Sequence, residues 1–194
     1  MNILLKFVNF SKLLSKKFYH YLDLIHPPTR PATFYVKSHH KKNLIVVEVG
    51  TELGFNAISM LQELSIQKLF LIDPYEDYVM ANRLQKIGNI QLKEATKRLS
   101  KYRNKTVFIR KYSDEAINDI PDNVDFVYID ANHDYSYVKK DIELYYKKIK
   151  KGGVIGGHDF STDTPGVCKA ILEFVDKNNL KLMGADRDWW FIKN

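Results

Sequence analysis

Short apolar runs alternate with longer stretches of mixed polarity from residue 44 to the end of the chain. The runs are rich in β-branched residues, as expected of strands that are buried on both faces of a sheet. They predict strands at Leu44–Val49, Lys68–Ile72, Thr106–Arg110, Val124–Ile129 and Gly153–Gly157, and two shorter ones near Lys181 and Trp189. Helices are predicted between them, at about Phe55–Leu64, Ile90–Tyr102, after Ser113, at Tyr135–Lys150 and at Pro165–Asn178. This alternation indicates an α/β fold with a doubly wound, mostly parallel sheet.

The first 42 residues differ from the rest of the chain in pattern. Apolar side chains between Ile3 and Ile25 recur at steps of three and four, which predicts an amphipathic helix whose stripe is interrupted by lysines. The prolines at positions 27, 28 and 31 are expected to end this helix and to mark a linker. The chain therefore divides into an N-terminal segment, residues 1–42, and a domain, residues 43–194.

The net charge of +7 is confined to that N-terminal segment, which holds eight Lys or Arg residues and one acid, Asp23. The domain is neutral, and this disfavours a basic groove for nucleic acid. Two roles stay open for the basic helix. It packs against the domain or against a second copy in a homo-oligomer, or it makes a peripheral membrane contact through residues 3–25.

Cysteine content and hydropathy bear on the compartment. A single cysteine, Cys168, excludes an intramolecular disulfide, so a reducing, cytoplasmic location is expected, with membrane association through the helix as the alternative. No apolar run in the N-terminal segment approaches the roughly 20 residues of a membrane span. A cleavable signal peptide also fits poorly, because no uninterrupted apolar region precedes a cleavage site.

A glycine turn follows the first predicted strand. Gly50 and Gly54 come directly after the acid Glu48, in the stretch LIVVEVGTELGFN. Glycines at such a turn let bare backbone N–H groups approach a ligand. The spacing Glu-x-Gly-x-x-x-Gly differs from the Gly-x-Gly-x-x-Gly of dinucleotide enzymes, so the turn indicates another adenosine ligand.

Polar residues gather where the predicted strands end, which is the edge of an open α/β sheet at which ligands bind. An acid about 20 residues beyond the glycine turn suits the two hydroxyl groups of a ribose. Any one strand-end acid is as readily explained as a helix N-cap. The whole set beside a glycine turn is much less readily explained that way: Glu48, Asp73, Ser113, Asp130, His158 and Asp159.

These motifs resemble those of class I S-adenosylmethionine-dependent methyltransferases. The resemblance lies in Glu48-Val-Gly50-Thr-Glu-Leu-Gly54, in Asp73, and in Lys151-Gly152-Gly153, and it covers about residues 42–194. Within that class, IDANHDY followed by GGVIGGHDF is similar to small-molecule O-methyltransferases of the macrolide-sugar and cephalosporin pathways. The resemblance implies a Rossmann-like sheet of seven strands whose last strand is antiparallel.

The resemblance also assigns roles to single residues. Gly50 and Gly54 would line the methionine part of the cofactor, Glu48 would fix the turn, and Asn56 would help to hold the carboxylate. Asp73 matches the ribose-binding acid and Ser113 an adenine-edge contact. The cofactor-binding set it implies is Glu48, Gly50, Thr51, Gly54, Asn56, Asp73 and Ser113.

Catalysis would require removal of a proton from the acceptor hydroxyl. His133 stands where the similar enzymes place a His or Lys base, with Asp130 beside it as a second catalytic candidate. Asp130 and Asp159 are candidate ligands for Mg²⁺, which uses one or two carboxylates. His158 departs from the acidic or amide pair of the metal-binding relatives, so hydrogen-bond acceptance by the two aspartates is the alternative. A structural or substrate-orienting role is the alternative for His133.

The function predicted from these observations is O-methylation of a hydroxyl group on a small molecule, sugar or glycan acceptor. A nucleic-acid or protein methyltransferase is the second hypothesis, although IDANHDY differs from the Asn/Asp-Pro-Pro-Tyr/Phe motif of nucleic-acid amino-methylating enzymes. A cofactor-binding scaffold that docks through its N-terminal helix is the third. An NAD-dependent oxidoreductase is disfavoured, because the third glycine of that fingerprint is missing.

Overall fold

A computed structural model describes residues 29–40, 42–76, 78–80, 83–85 and 88–194. Its centre is a seven-stranded sheet made of β1 (Leu44–Val49), β2 (Ile66–Ile72), β5 (Thr106–Ile109), β6 (Val124–Ile129), β7 (Ile149–Gly157), β8 (Met183–Ala185) and β9 (Asp188–Ile192). The strand order in the sheet is β5-β2-β1-β6-β7-β9-β8. All neighbouring strands are parallel except that β9 is antiparallel to β7 and to β8. The predicted doubly wound sheet with an antiparallel last strand is therefore confirmed.

Helices cover both faces of the sheet. They are α1 (Pro31–His39), α2 (Phe55–Glu63), α3 (Gly88–Arg98), α4 (Ser113–Ala116), α5 (Tyr135–Lys148) and α6 (Pro165–Lys177). Because side chains alternate along a strand, β1 sends Val47 to one face and Val46 to the other. The face with Val47 packs against α5 and α6, and the face with Val46 packs against α1 and α2.

Helix α1 corrects the prediction of a linker that reaches residue 42. Pro31 begins a helix whose residues Ala32, Thr33 and Val36 are buried. Proline is well suited to the first position of a helix, because its fixed φ matches the helix and the N–H it lacks would have no helical partner there. The segment from Pro31 to His39 is therefore part of the folded body.

Other elements differ from the prediction as well. Strand β7 begins at Ile149, although a helix was predicted to Lys150 and the strand from Gly153. A small antiparallel hairpin, β3 (Tyr78–Met80) and β4 (Arg83–Gln85), stands apart from the main sheet and was not predicted. The predicted helix at Ile90–Tyr102 is α3 followed by a separate 3₁₀ turn at Ser100–Tyr102.

The amphipathic helix predicted for residues 3–25, with its proposed membrane contact, lies outside the described residues. None of the helices in the described ranges is both long and apolar enough to cross a membrane.

Candidate functional site

The strand ends of β1, β2 and β6 are joined by backbone hydrogen bonds just beyond the sheet. The Gly50 N–H donates to the carbonyl of Ile72 at 2.8 Å, and the Asp130 N–H donates to the carbonyl of Val49 at 2.8 Å. The glycine turn is thereby held between its two neighbouring strands. The predicted residues Glu48, Asp73 and Asp130 consequently stand at one edge of the sheet.

Gly50 occupies a position that only glycine fits. Its φ is +91°, and a Cβ atom added there would lie 2.0 Å from the carbonyl oxygen of Asp130. Gly54 also has a positive φ, +74°, and its N–H donates to the Thr51 carbonyl at 2.8 Å before α2 begins. Helix α2 has no side-chain cap. Its first N–H groups therefore suit an anionic group such as a carboxylate.

Glu48 and Asn56 form a buried polar pair behind this turn. Asn56 Nδ2 donates to Glu48 Oε1 at 3.0 Å. Three buried atoms around them have no hydrogen-bond partner among the described residues: Glu48 Oε2, Asn56 Oδ1 and Thr51 Oγ1. Buried polar atoms are seldom left unpaired in folded proteins, so this cluster fits a polar ligand such as the amino-acid part of S-adenosylmethionine.

Burial raises the pKa of Glu48 from 4.5 to about 8, against the opposing effect of the Asn56 hydrogen bond. The folded protein therefore keeps this proton at pH values where the unfolded chain has lost it. Stability from this group is fully present below pH 4.5 and is lost as the pH rises towards 8, at up to about 1.4 kcal/mol per pH unit.

We expect Glu48→Gln to remove this part of the pH dependence. Urea unfolding of both proteins between pH 5 and pH 8 should show wild type losing a few kcal/mol relative to the variant. Asp141, whose pKa burial raises to about 6, contributes equally to both proteins and cancels in the difference. Parallel pH profiles for the two proteins would contradict a protonated Glu48.

Asp73 links the end of β2 to the glycine turn. Its Oδ2 accepts the Glu52 N–H and its Oδ1 accepts the Tyr75 N–H, each at 2.8 Å. A carboxylate has about four acceptor positions, so both oxygens can still accept hydrogen bonds from hydroxyl groups. The Tyr75 hydroxyl is buried without a partner among the described residues, and burial raises its pKa. Tyr75 was not among the predicted cofactor-binding, catalytic or metal-binding residues, and its signal in the sequence is that it follows Asp73-Pro74.

Ser113 is held by α5. Its hydroxyl donates to Asp141 Oδ1 at 2.5 Å, and its carbonyl accepts the Tyr145 hydroxyl at 2.8 Å. The only proton of the Ser113 hydroxyl is thus used in the hydrogen bond to Asp141, and the Ser113 side chain can only accept further hydrogen bonds. Its contact with the adenine edge stays a prediction.

Asp130, His133 and Asp159 come together although they lie on two different loops. Each contributes one potential ligand atom, and these atoms lie within 4.8 Å of one another. His133 Nε2 is 2.9 Å from Asp159 Oδ2, and His158 Nδ1 is 3.2 Å from Asp159 Oδ1. Burial raises the pKa of Asp130, and the neighbouring His158 charge acts against that rise.

The loop that carries Asp159 is fixed by contacts that the sequence did not reveal. Asp159 has a φ of +61°, and its carbonyl accepts a hydrogen bond from the Thr164 hydroxyl. Trp189 Nε1 donates to the His158 carbonyl at 3.1 Å. At Gly166, a Cβ atom would lie 2.7 Å from the His133 carbonyl oxygen, so this glycine lets α6 approach the His133 loop. These contacts fix the backbone of the two loops in the positions from which the side chains of His133 and Asp159 meet.

This arrangement supports two kinds of chemistry. The side chain of His133 is half exposed and that of Asp159 is mostly buried, which is the arrangement of a base and the carboxylate that orients it. Two carboxylates and one imidazole also form a mixed donor set for a divalent cation. Such a set is less suited to Mg²⁺, which prefers oxygen ligands, than to a metal ion that also accepts nitrogen.

Comparison with known proteins decides the family. Residues 47–160 match the model of a family described as a methyltransferase domain. The chain belongs to this methyltransferase family. The matched region contains the glycine turn, Asp73, Asp130, His133 and Asp159, and it confirms the resemblance stated from the sequence.

Individual relatives of this methyltransferase are longer than this chain or share little sequence identity with it. Uncharacterized protein R132 of Acanthamoeba polyphaga mimivirus is 34% identical over 142 residues, which are 70% of this chain and 61% of that protein. The chain thus spans less than two thirds of that relative.

Solved structures share the fold. The O-methyltransferase from Bacillus cereus, in complex with SAH, superposes with a TM-score of 0.61 at 15% identity, over 93% of this chain and 90% of that chain. A putative rRNA-methylase from Clostridium thermocellum has a TM-score of 0.63 at 14% identity, over 84% and 95% of the two chains. The name of the first neighbour gives the atom that is methylated and the name of the second gives an RNA substrate, and the shared fold does not select the acceptor.

Proposed function

We propose that this methyltransferase transfers the methyl group of S-adenosylmethionine to a hydroxyl group of a small molecule, sugar or glycan. The observation that carries the proposal is the position of the His133–Asp159 pair at the sheet edge that also holds the glycine turn. One edge of the sheet then supplies a cofactor cradle and a group able to take a proton.

Residues of the β1–α2 turn would hold the cofactor. The uncapped N-terminus of α2 suits the methionine carboxylate, and the unpartnered oxygens of Thr51 and Asn56 suit its ammonium group. Asp73 would accept the ribose hydroxyls. The bound cofactor supplies an activated methyl group, so the protein must align the acceptor and remove its proton.

His133 would remove that proton. With Nε2–H donating to Asp159 Oδ2 at 2.9 Å, Nδ1 is the nitrogen with a free lone pair. Asp159 would keep the ring in this orientation and stabilise the imidazolium that forms. A positioned base of this kind contributes about 10²–10⁴-fold to the rate.

The same three side chains offer an alternative role within the proposal. Asp130, His133 and Asp159 would hold a divalent cation, with Mg²⁺ and Mn²⁺ as the ions to test. A bound cation would lower the pKa of the acceptor hydroxyl. A His133 that binds the cation through Nε2 is no longer the donor to Asp159, so the two roles exclude each other at this atom.

Transfer of a tritiated methyl group from S-adenosylmethionine tests the proposal. The acceptors should include neutral sugars, sugar acids, catechol, transfer RNA and a protein mixture, each with EDTA, Mg²⁺ or Mn²⁺. We expect label in a hydroxyl-bearing small molecule. Loss of that label with EDTA and its return with one ion would assign the trio to metal binding. Label only in RNA or in protein would contradict the proposed acceptor class.

A further inference from the structure

Positive charge is concentrated on α3 and on the turn that follows it. Residues 93–105 hold six Lys or Arg residues and one acid, Glu94, although the domain as a whole is neutral. Arg98 is turned towards α2, since its guanidinium lies 3.6 Å from the centre of the Phe55 ring and donates to the Leu53 carbonyl. The other five basic residues are exposed, and we call them the basic face: Lys93, Lys97, Lys101, Arg103 and Lys105.

The packing of α3 sets the direction of the basic face. Ala95 is fully buried against Gly54, where a Cβ atom would lie 3.5 Å from it. Lys93 and Lys97 are each two residues from Ala95, so they project from the opposite side of the helix. Ile90, which is 60% exposed, lies three residues before Lys93 on the same stripe. An exposed apolar side chain therefore stands beside the exposed lysines.

The charges of the basic face are not neutralised by the domain. Among the described residues, no carboxylate oxygen lies within 4.0 Å of any of its five cations. Lys68 adds a further positive charge, because its Nζ donates to the Asn104 carbonyl in the same turn at 2.9 Å. Lys93 and Lys97 are four residues apart, a spacing at which like charges destabilise a helix. The basic face is thus complementary to an external anionic surface.

The composition of the basic face favours a membrane over a nucleic acid. Four of its five cations are lysines, which suit anionic headgroups, whereas arginine is the preferred residue for recognition of nucleic acid. Tyr102 is the one aromatic residue between positions 88 and 105, and it is half-buried against the core, so this stretch presents no exposed ring for stacking on bases. The exposed Ile90 suits the boundary between lipid headgroups and acyl chains.

The other basic region of the chain joins the same side of the sheet. Helix α1 follows the basic N-terminal segment in the sequence, and its residues Ala32 and Val36 belong to the same core cluster as Leu99, directly after α3. A membrane contact through residues 3–25, as the sequence predicts it, would thus start from the side of the sheet that carries α3.

We propose that the basic face and Ile90 bind the surface of an anionic membrane, with the cations at the lipid headgroups and Ile90 in the interface. Helix α3 begins beside Tyr75, where a Cβ atom at Gly88 would lie 2.1 Å from the Tyr75 carbonyl oxygen. Docking would therefore hold the candidate site close to acceptors in the membrane. The inference goes beyond the proposed function and does not depend on it, because membrane binding needs neither cofactor nor turnover.

Sedimentation of the full chain with vesicles tests the inference. The vesicles would be pure phosphatidylcholine or an equimolar mixture of phosphatidylcholine and phosphatidylserine, at low and at high salt. The basic-face variant has three lysines of that face replaced: Lys93→Gln, Lys97→Gln and Lys101→Gln. The matched control removes the same charge from the other face of the sheet, at three lysines of α5 and α6 that pair with carboxylates: Lys140→Gln, Lys148→Gln and Lys169→Gln. Circular dichroism and thermal melting would establish that each variant is folded.

We expect wild type to bind the vesicles that contain phosphatidylserine and to dissociate from them at high salt. The basic-face variant should bind them about 100-fold more weakly, since each lysine near an anionic surface raises the affinity about fivefold. The control variant should bind nearly as wild type does. Equal binding by the basic-face variant, or no binding of these vesicles by wild type, overturns the inference.

A second pair of variants distinguishes a membrane from a nucleic acid. Ile90→Ser should weaken vesicle binding about tenfold, because it removes the apolar side chain that enters the interface. Leu172→Ser should leave binding unchanged, since Leu172 is 50% exposed on α6, on the other face of the sheet. Transfer RNA is the competing probe. Tighter binding of RNA than of anionic vesicles, with no effect of Ile90→Ser, would assign the basic face to nucleic acid and overturn the inference.

Discussion

Replacing Gly50 by alanine is expected to abolish binding of S-adenosylhomocysteine and to lower the free energy of unfolding by several kcal/mol. The added Cβ would lie 2.0 Å from the carbonyl oxygen and 2.6 Å from the carbonyl carbon of Asp130, and neither is an atom that a side-chain rotation moves away. The left-handed φ of +91° adds about 1–2 kcal/mol of its own. The turn and the Asp130 strand end must therefore separate, which dismantles the cofactor cradle.

Gly152→Ala separates these two contributions. Gly152 has a comparable φ of +75°, but a Cβ atom there meets nothing within 4 Å. This control should lose only about 1–2 kcal/mol and should keep full affinity for S-adenosylhomocysteine. Chemical denaturation and calorimetry on both variants provide the comparison. Equal losses of stability and of cofactor affinity in the two variants would show that the close approach of Gly50 to Asp130 does not require a glycine.

Replacing His133 by alanine is expected to lower the rate of methyl transfer by about 10²–10⁴-fold, since it removes the group that takes the acceptor proton. The side chain is half exposed, so stability should change by no more than about 0.5 kcal/mol. Affinity for S-adenosylhomocysteine should also be kept, because the glycine turn and Asp73 are untouched. Single-turnover rates measured with saturating cofactor isolate the chemical step.

His39→Ala is the matched control for this variant. His39 is exposed on α1, stacked on Tyr35 with ring centroids 4.1 Å apart, and it lies outside the trio. Its loss should leave turnover unchanged. Unchanged turnover in His133→Ala as well would remove the proton-transfer role and leave the acceptor to be activated in another way.

Local pattern was sufficient for the central strands. Val124–Ile129 and Leu44–Val49 are short apolar runs ended by polar residues, and β6 and β1 begin and end at the predicted residues. The glycine turn was also predicted from the sequence. Gly50 lies where a side chain would clash with the backbone of the neighbouring strand end. These features depend on residues close together in sequence, and they predict which edge of the sheet holds the candidate site.

Features made by distant residues were not predictable. Pro31 indicated a break, yet burial of Ala32 and Val36 against the sheet favours a helix there. The 2.9 Å contact between His133 and Asp159 depends on how two loops are held by Gly166 and Thr164. Nothing in the local pattern around Ala32 indicates that its N–H donates to Asp188, near the other end of the chain.

Titration of the full chain with S-adenosylhomocysteine by isothermal calorimetry shows whether this sheet edge binds the cofactor. We expect saturable binding of one ligand per chain, weakened at least tenfold in Asp73→Asn, because an amide cannot accept the ribose hydroxyls with both of its terminal atoms. Asp163→Asn is the control, since Asp163 pairs with Arg187 in an exposed position and should bind as wild type does. Absence of binding to wild type would contradict the assignment of this sheet edge as a cofactor site.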